Sequence, residues 1–200
     1  ERKRTEELIR PILRGRDIKR YGYEWAGLWL INTHNGIKGR IPRIDINDYP
    51  AVKAHLDQYW DKISKRADKG DTPYNLRNCA YMDLFFQPHI CWKAVGRKLA
   101  FALVEAGTFL TAPASFISAG RYNKMVLAFL CSTVGTYFVY KNSDTTGAGD
   151  IMLNIQSLIK FPIPQLDIKF DNYTDTEIDQ CIYKIYKFTK EEILYIEEQV

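Results

Sequence analysis

The sequence predicts an α+β fold with an irregular mixed β core, one buried helix and an α-hairpin at the C-terminus. Three observations lead there. Three apolar, strand-like runs, 84–92, 99–104 and 108–117, are separated by the loop Lys93 to Lys98 and the tight turn Glu105-Ala106-Gly107. The stretch from Lys124 to about Val134 is apolar on every side, as suits a helix inside a core. Thr174 with Glu177, and Thr189 with Glu192, each fit a capping box, in which threonine and glutamate satisfy each other's terminal backbone N–H groups. Strands and helices come in blocks and not as alternating βα units, which argues against a doubly wound sheet.

Two hundred residues suit one domain with a real core. Residues 1–10 are charged and read as a linker or short helix. Residues 11–170 form the β-rich core with a helix inserted at 48–67, and 171–200 form the helical hairpin of the same domain. An aromatic content of 14% excludes a disordered tail. Residues 1–100 carry 20 Lys and Arg against 12 Asp and Glu, whereas residues 101–200 carry 8 against 12. A basic half joined to an acidic half suits a polyanion met by one face. The four cysteines, Cys79, Cys91, Cys131 and Cys181, form no Cys-x-x-Cys pair, and only three histidines accompany them, so a zinc site has no local support. Cys91 and Cys131 lie in apolar runs and read as buried thiols, a cytoplasmic pattern. The longest apolar run, Met125 to Tyr140, is too short and too polar to span a bilayer. The chain begins at Glu1 without Met and reads as a piece of something longer.

Taken in order, Leu28-Trp29-Leu30-Ile31 is a buried strand. Asn32 to Arg43, with Gly36, Gly39 and Pro42, is a loop carrying Lys38, Arg40 and Arg43. Asn47 or Asp48 should cap the next helix, with Pro50 in its first turn and Tyr49, Val52, Leu56, Tyr59 or Trp60, and Ile63 on its apolar face. Tyr137 to Tyr140 either continues the buried helix or forms a strand, and Asn142 to Asp150 is a polar loop. Ile155 to Ile159 is a helical turn stopped by Pro162 and Pro164.

No catalytic constellation is present. There is no Asn/Asp-Pro-Pro-Tyr/Phe motif for a flipped adenine. Thr146-Gly147-Ala148-Gly149 follows no clean strand and reads as a loop. Asp17-Ile18-Lys19 and Asp167-Ile168-Lys169 lack the upstream carboxylate that a nuclease metal site requires. No catalytic and no metal-ligating residue is therefore assigned. What remains is recognition, which needs donor-rich side chains on turns and loops. The densest such stretch is Pro11 to Tyr21, with Arg14, Arg16, Lys19 and Arg20 around Gly15. Lys93, Arg97 and Lys98 in one loop, Arg121-Tyr122-Asn123 at the mouth of the buried helix, and Thr145 and Thr146 in the polar loop join it, as does Arg77. The plain alternative for each is a solvated surface side chain.

Leu13 to Tyr21, followed by Trp29-Leu30-Ile31, resembles the opening of a known family, the TaqI-like specificity domain. This is the target-recognition part of type IIG restriction-modification enzymes and N6-adenine DNA methyltransferases, related to the specificity subunits of type I systems. Tyr49-Pro50-Ala51, Arg77-Asn78-Cys79-Ala80-Tyr81, Pro88-His89-Ile90-Cys91-Trp92, Phe161-Pro162-Ile163-Pro164 and Tyr186 to Ile193 match in the same order. The resemblance implies an irregular β core followed by a helical hairpin. It implies binding of double-stranded DNA and the placing of an upstream adenine-N6 methyltransferase domain of the same polypeptide on its target. S-adenosylmethionine, and Mg2+ where a nuclease is present, would then bind in that upstream part and not in this chain. In the family the matching motifs are mostly scaffold and base reading comes from variable loops.

A second reading is a docking or assembly module of a restriction-modification complex, built on the aromatic surface and the C-terminal hairpin. The cations separate the two readings: Lys93, Arg97, Lys98 and Arg121 gathered with Arg14 and Arg16 favour DNA, and an apolar face there favours docking.

Overall fold

The computed structural model describes residues 1–200. In chain order it contains α1 (Arg2–Leu8), β1 (Ile9–Leu13), β2 (Trp29–Ile31), α2 (Pro50–Asp57), α3 (Trp60–Ile63), β3 (His89–Lys93) and β4 (Val95–Gly96). There follow β5 (Phe101–Val104), β6 (Phe109–Leu110), β7 (Ala114–Ile117), α4 (Asn123–Cys131), α5 (Thr133–Asn142), β8 (Asp144–Thr145) and β9 (Ile151–Met152). The chain closes with α6 (Ile155–Leu158), α7 (Asp175–Tyr186) and α8 (Lys190–Glu197). Three small sheets and eight α-helices make the fold α+β. The chain divides into two compact units: Glu1–Ile12 with Gly27–Phe86 and Gly107–Phe109, and Leu13–Ala26 with Gln87–Ala106 and Leu110–Val200.

The first unit is built on the sheet β2-β1-β6, in which Ile9 pairs with Ile31 and Arg10 with Leu30. Its small core joins Leu8, Ile46 and Val52 to Ile31, Ile44, Leu56 and Tyr74. The helix expected over 48–67 is two pieces, α2 and α3, broken at Gln58 and Tyr59. Pro50 opens α2 as expected, but neither Asn47 nor Asp48 caps it. A residue before proline is pushed out of helical geometry, so Tyr49 takes the cap position without a side-chain bond. Asp45 caps a separate 3-10 turn, Ile46–Asp48, by accepting from the Asn47 N–H.

The second unit is organised by β3, the centre of the sheet β5-β3-β7. Cys91 pairs with Ala102 on one edge and Phe116 on the other, so both edges of the backbone are satisfied. Alternate side chains leave opposite faces of the strand. Ile90 and Trp92 enter a large core with α4, α5 and α7; Cys91 enters a smaller one with Leu13, Ile18, Ala102 and Val104. Trp92 is fully buried and its indole N–H donates to the Leu153 carbonyl at 3.1 Å.

The strand expected over 84–92 begins only at His89, because Met82–Phe86 winds into a 3-10 turn that stacks Phe85 on Phe109 at 4.5 Å. The run 108–117 divides into β6 and β7 around Pro113, which has no N–H to give a ladder. Asp144–Thr145 of the expected polar loop pairs as a strand.

The apolar helix also ends earlier than its composition implies. Ser132 takes an extended conformation, ends α4, and accepts the Gly135 N–H to start α5. Tyr137 to Tyr140 is thus helical, but in a second helix. The N-terminus of α5 is further held by Asp179 of α7, whose carboxylate accepts from the Thr133 N–H at 2.8 Å and its hydroxyl at 2.7 Å. Both capping boxes form, opening α7 and α8, and Lys187 makes the turn between them at φ 57°.

The tight break between α4 and α5 admits only glycine at 135. A Cβ there would lie 2.2 Å from the Phe129 carbonyl oxygen and 2.7 Å from that of Leu130, both backbone atoms. Gly135→Ala is expected to destabilise the second unit by about 1–3 kcal/mol, the range of overpacking. A lowered urea midpoint with unchanged slope checks this.

Candidate DNA interface

The segment Leu13 to Tyr21 is anchored at both apolar positions, Leu13 and Ile18, in the smaller core of the second unit. Between them Gly15–Asp17 winds one 3-10 turn. The buried Asp17 carboxylate accepts from the Arg14 backbone N–H at 2.8 Å and from the Arg14 guanidinium at 2.7 and 3.0 Å. Those bonds hold the Asp17 carboxyl below its usual range, against the upward push of burial, with the Arg16 charge adding to the effect. Arg14 is therefore a strut of the turn. Arg20 is another: it pairs with Asp175 at the start of α7, donates to the Cys131 carbonyl at 2.8 Å, and lies over the Tyr21 ring. Its hydrogen bond holds the Asp175 carboxyl low. Lys19 reaches the Arg16 carbonyl at 3.3 Å and Glu24 at 3.5 Å. Arg16 points to solvent.

Gly15 lets the aliphatic stem of Lys93 pass over the turn, since a Cβ at Gly15 would fall 2.9 Å from Lys93 Cγ. Lys93 ends β3, and the chain continues directly into β4. There Val95 and Gly96 pair with Met152 and Ile151 of β9, and β9 pairs on its other edge with Asp144 and Thr145 of β8. Gly96 and Thr145 thus flank Ile151, two strand spacings or about 10 Å apart. The tip of the β8–β9 ribbon is closed by Thr146, whose N–H donates to the Asp150 carbonyl and whose hydroxyl accepts the Asp150 N–H at 3.0 Å. Arg97 stands beside this tip, 4.0 Å from Asp150, with its side chain 85% exposed. Lys98 and Thr145 are also exposed. Lys93, Arg97 and Lys98 around β4 and Thr145 and Thr146 of the β8–β9 ribbon are thus held in or beside one small sheet, with Asp150 as the charge opposing Arg97. The exposed Arg16 is next to the Gly15 that Lys93 passes.

Arg121, Tyr122 and Asn123 lie elsewhere. The Asn123 amide donates to the Pro88 carbonyl and accepts the Ala119 N–H, both at 2.8 Å. It is buried, and both ends of its amide are spent on the scaffold, which removes it from the exposed readers. Arg121 lies over the Tyr122 ring and donates to its hydroxyl. This cluster sits at the Pro88 end of β3, whereas Lys93 marks the other end, about 13 Å away at strand rise. The cations therefore do not all converge: Arg121 is apart, and Arg14 and Arg20 are engaged.

Arg77 belongs to the first unit and is exposed. Its neighbours Asn78, Cys79 and Ala80 line a groove of about 810 Å³ with Lys38, Arg40, Arg43 and Asp71. Arg40 pairs there with Asp83 and Arg43 with Asp71.

Burial pushes the Cys91 thiol up to about 12 and the Cys131 thiol to about 11, which keeps both protonated and inert. No three His, Cys, Asp or Glu side chains are grouped to hold a metal ion. No helix is long and apolar enough to cross a membrane.

The model of the TaqI-like C-terminal specificity domain matches residues 10–163, well over half of the chain. The chain belongs to this family. It is a specificity domain of restriction-modification enzymes, and its role is DNA recognition. No curated protein sequence matches it. The match begins within β1 and ends just after α6, so α7 and α8 lie outside it.

In this specificity domain the reading of single loops found the cations but not their company. Asp150 beside Arg97 had no local signal; Gly15 was legible as a turn that admits a close approach, but not Lys93 as what approaches it. The groove over residues 35–43 showed only as a glycine-rich loop with three cations.

The Arg14–Asp17 pair carries a pH signature. The Asp17 carboxyl is depressed in the folded state, so its contribution is present above the unfolded carboxylate value near 3.9 and lost as pH falls through the lower folded value. Asp17→Asn is expected to lower the melting temperature at pH 7, with the gap to the parent narrowing below about pH 4. Thermal melts of both proteins from pH 7 to pH 3 check this.

Proposed function

We propose that the face carrying Arg16, Lys93, Arg97, Lys98, Thr145 and Thr146 meets duplex DNA, and that the β8–β9 ribbon is its reading element. The observation that carries the reading is the β4-β9-β8 pairing, which sets the loop Lys93 to Lys98 beside a ribbon some 50 residues later. A two-stranded ribbon fits the major groove of B-DNA, which is about 12 Å wide. Lys93, Lys98 and Arg16 suit phosphates, whose contacts set register. Arg97 suits the paired acceptors of a guanine edge, and the threonine hydroxyls either donate or accept. Asp150 steers the Arg97 guanidinium while the duplex is absent.

The same reading gives the domain a place in its parent polypeptide: held on the target site, it presents the duplex to an adenine-N6 methyltransferase domain upstream. The methyl donor S-adenosylmethionine, and Mg2+ for any nuclease, belong to that part. This chain contributes position and specificity, and no step of the chemistry.

Fluorescence anisotropy with a randomised duplex, titrated in salt, tests the reading. The logarithm of the binding constant is expected to fall linearly with the logarithm of salt concentration. Lys93→Ala and Lys98→Ala should each reduce that slope by about 1, and Arg97→Ala should cost about 1–3 kcal/mol on the selected site. Unchanged affinity in Arg97→Ala, with a loss in Arg121→Ala, would move the interface to the Pro88 end of β3.

A further inference from the structure

Unit two carries a second surface of opposite character. An open groove of about 620 Å³ runs between α5 and α8. Its floor is aromatic: Phe138 stacks on the buried Phe161 at 4.6 Å, and Tyr186 stacks on Phe188 at 5.4 Å. Tyr137 and the exposed Tyr195 form the walls, edge to face at 6.2 Å. The Tyr186 hydroxyl is spent on the Pro162 carbonyl at 3.1 Å, and burial pushes it up to about 12, so the floor presents ring faces and no free acid.

Glu191 and Glu192 line the same groove and are exposed. Residues 190–200 hold four glutamates against one lysine. No lysine or arginine is among the residues lining the groove, and Lys141 of α5 is occupied over the Tyr137 ring and with Gln199 at 3.1 Å. The charge is thus acidic where the proposed DNA face is basic, so a nucleic acid is repelled from this groove. Its volume suits several side chains, and Tyr195 with the two glutamates leaves the α8 side of it exposed. Apolar floor and acidic rim are complementary to an amphipathic helix with aliphatic or aromatic residues on one face and lysine or arginine on the other.

We propose that the α5–α8 groove docks a basic amphipathic helix of a partner protein or domain. The apolar face of that helix lies over Phe138, Phe161 and Tyr186, and its cations flank Glu191 and Glu192. The site is independent of DNA binding and uses residues beyond the family match on one wall.

The probe is a synthetic helical peptide with Leu and Phe on one face and Lys on the other, titrated into the full chain by calorimetry. A second peptide carries Glu in place of Lys. The Lys peptide is expected to bind at one site and the Glu peptide not to bind. The double variant Glu191→Gln, Glu192→Gln keeps the capping box, which glutamine also completes, but removes the rim charge. It should bind the Lys peptide about threefold to tenfold more weakly at low salt, and Tyr195→Asp should abolish binding. Far-UV circular dichroism and unchanged DNA affinity establish that both variants are folded. No saturable binding, equal affinity for both peptides, or unchanged affinity in both variants overturns the proposal. So does concentration-dependent dimerisation lost in Tyr195→Asp, which would make a second copy the occupant.

Discussion

The second unit depends on one five-residue strand, His89–Lys93, whose backbone is paired on both edges and whose side chains divide between two cores. Ile90, Cys91 and Trp92 lose all contact with water. Such burial is tolerable because these three residues are paired with both β5 and β7 and the indole N–H finds the Leu153 carbonyl. The strand then acts as a ruler. At one end the Pro88 carbonyl collects Asn123 and Ser118 and so sets where α4 begins. At the other, Lys93 emerges over Gly15 and the chain turns at once into the ribbon sheet. The two basic clusters of the unit are held apart by this element.

The same economy explains why so many cations here are not free to bind. A turn as tight as Gly15–Asp17 leaves backbone donors that require an acceptor, and Asp17 supplies it. A buried carboxylate in turn requires a cation, and Arg14 supplies that. Arg20 fastens the following residues to α7 and to the end of α4. The segment that looks most like a binding motif is largely a joint between elements. The free donors lie one layer out, on the short strands and their loops, where a change of side chain does not disturb the core.

Opposite electrostatic characters on two surfaces of one unit follow from the uneven charge of the chain. The basic residues beside the β4-β9-β8 sheet suit a polyanion, and the glutamates of α8 would keep a polyanion off the aromatic groove. On the proposed reading, like-charge exclusion would let one domain serve two partners without exchanging them.

Much of the fold was legible because its signals are local. A capping box spans four residues, so Thr174 with Glu177 and Thr189 with Glu192 could be read directly, and Pro50 marked a helix start. The α+β class followed from blocks of strand-like and helix-like pattern. Where local rules competed, tertiary packing decided: the apolar run after Lys124 is two helices because Ser132 and Gly135 let the chain fold back on Phe129. For the candidate interface the sequence determined the supply of donors, and the tertiary structure decided which were spent. Arg20 and Asp175 are 155 residues apart, Thr133 and Asp179 are 46 apart, and Lys93 packs on Gly15 across most of the first unit's sequence. An ion pair depends on distance in space, and no periodicity or composition records which distant residue the fold will bring within 3 Å.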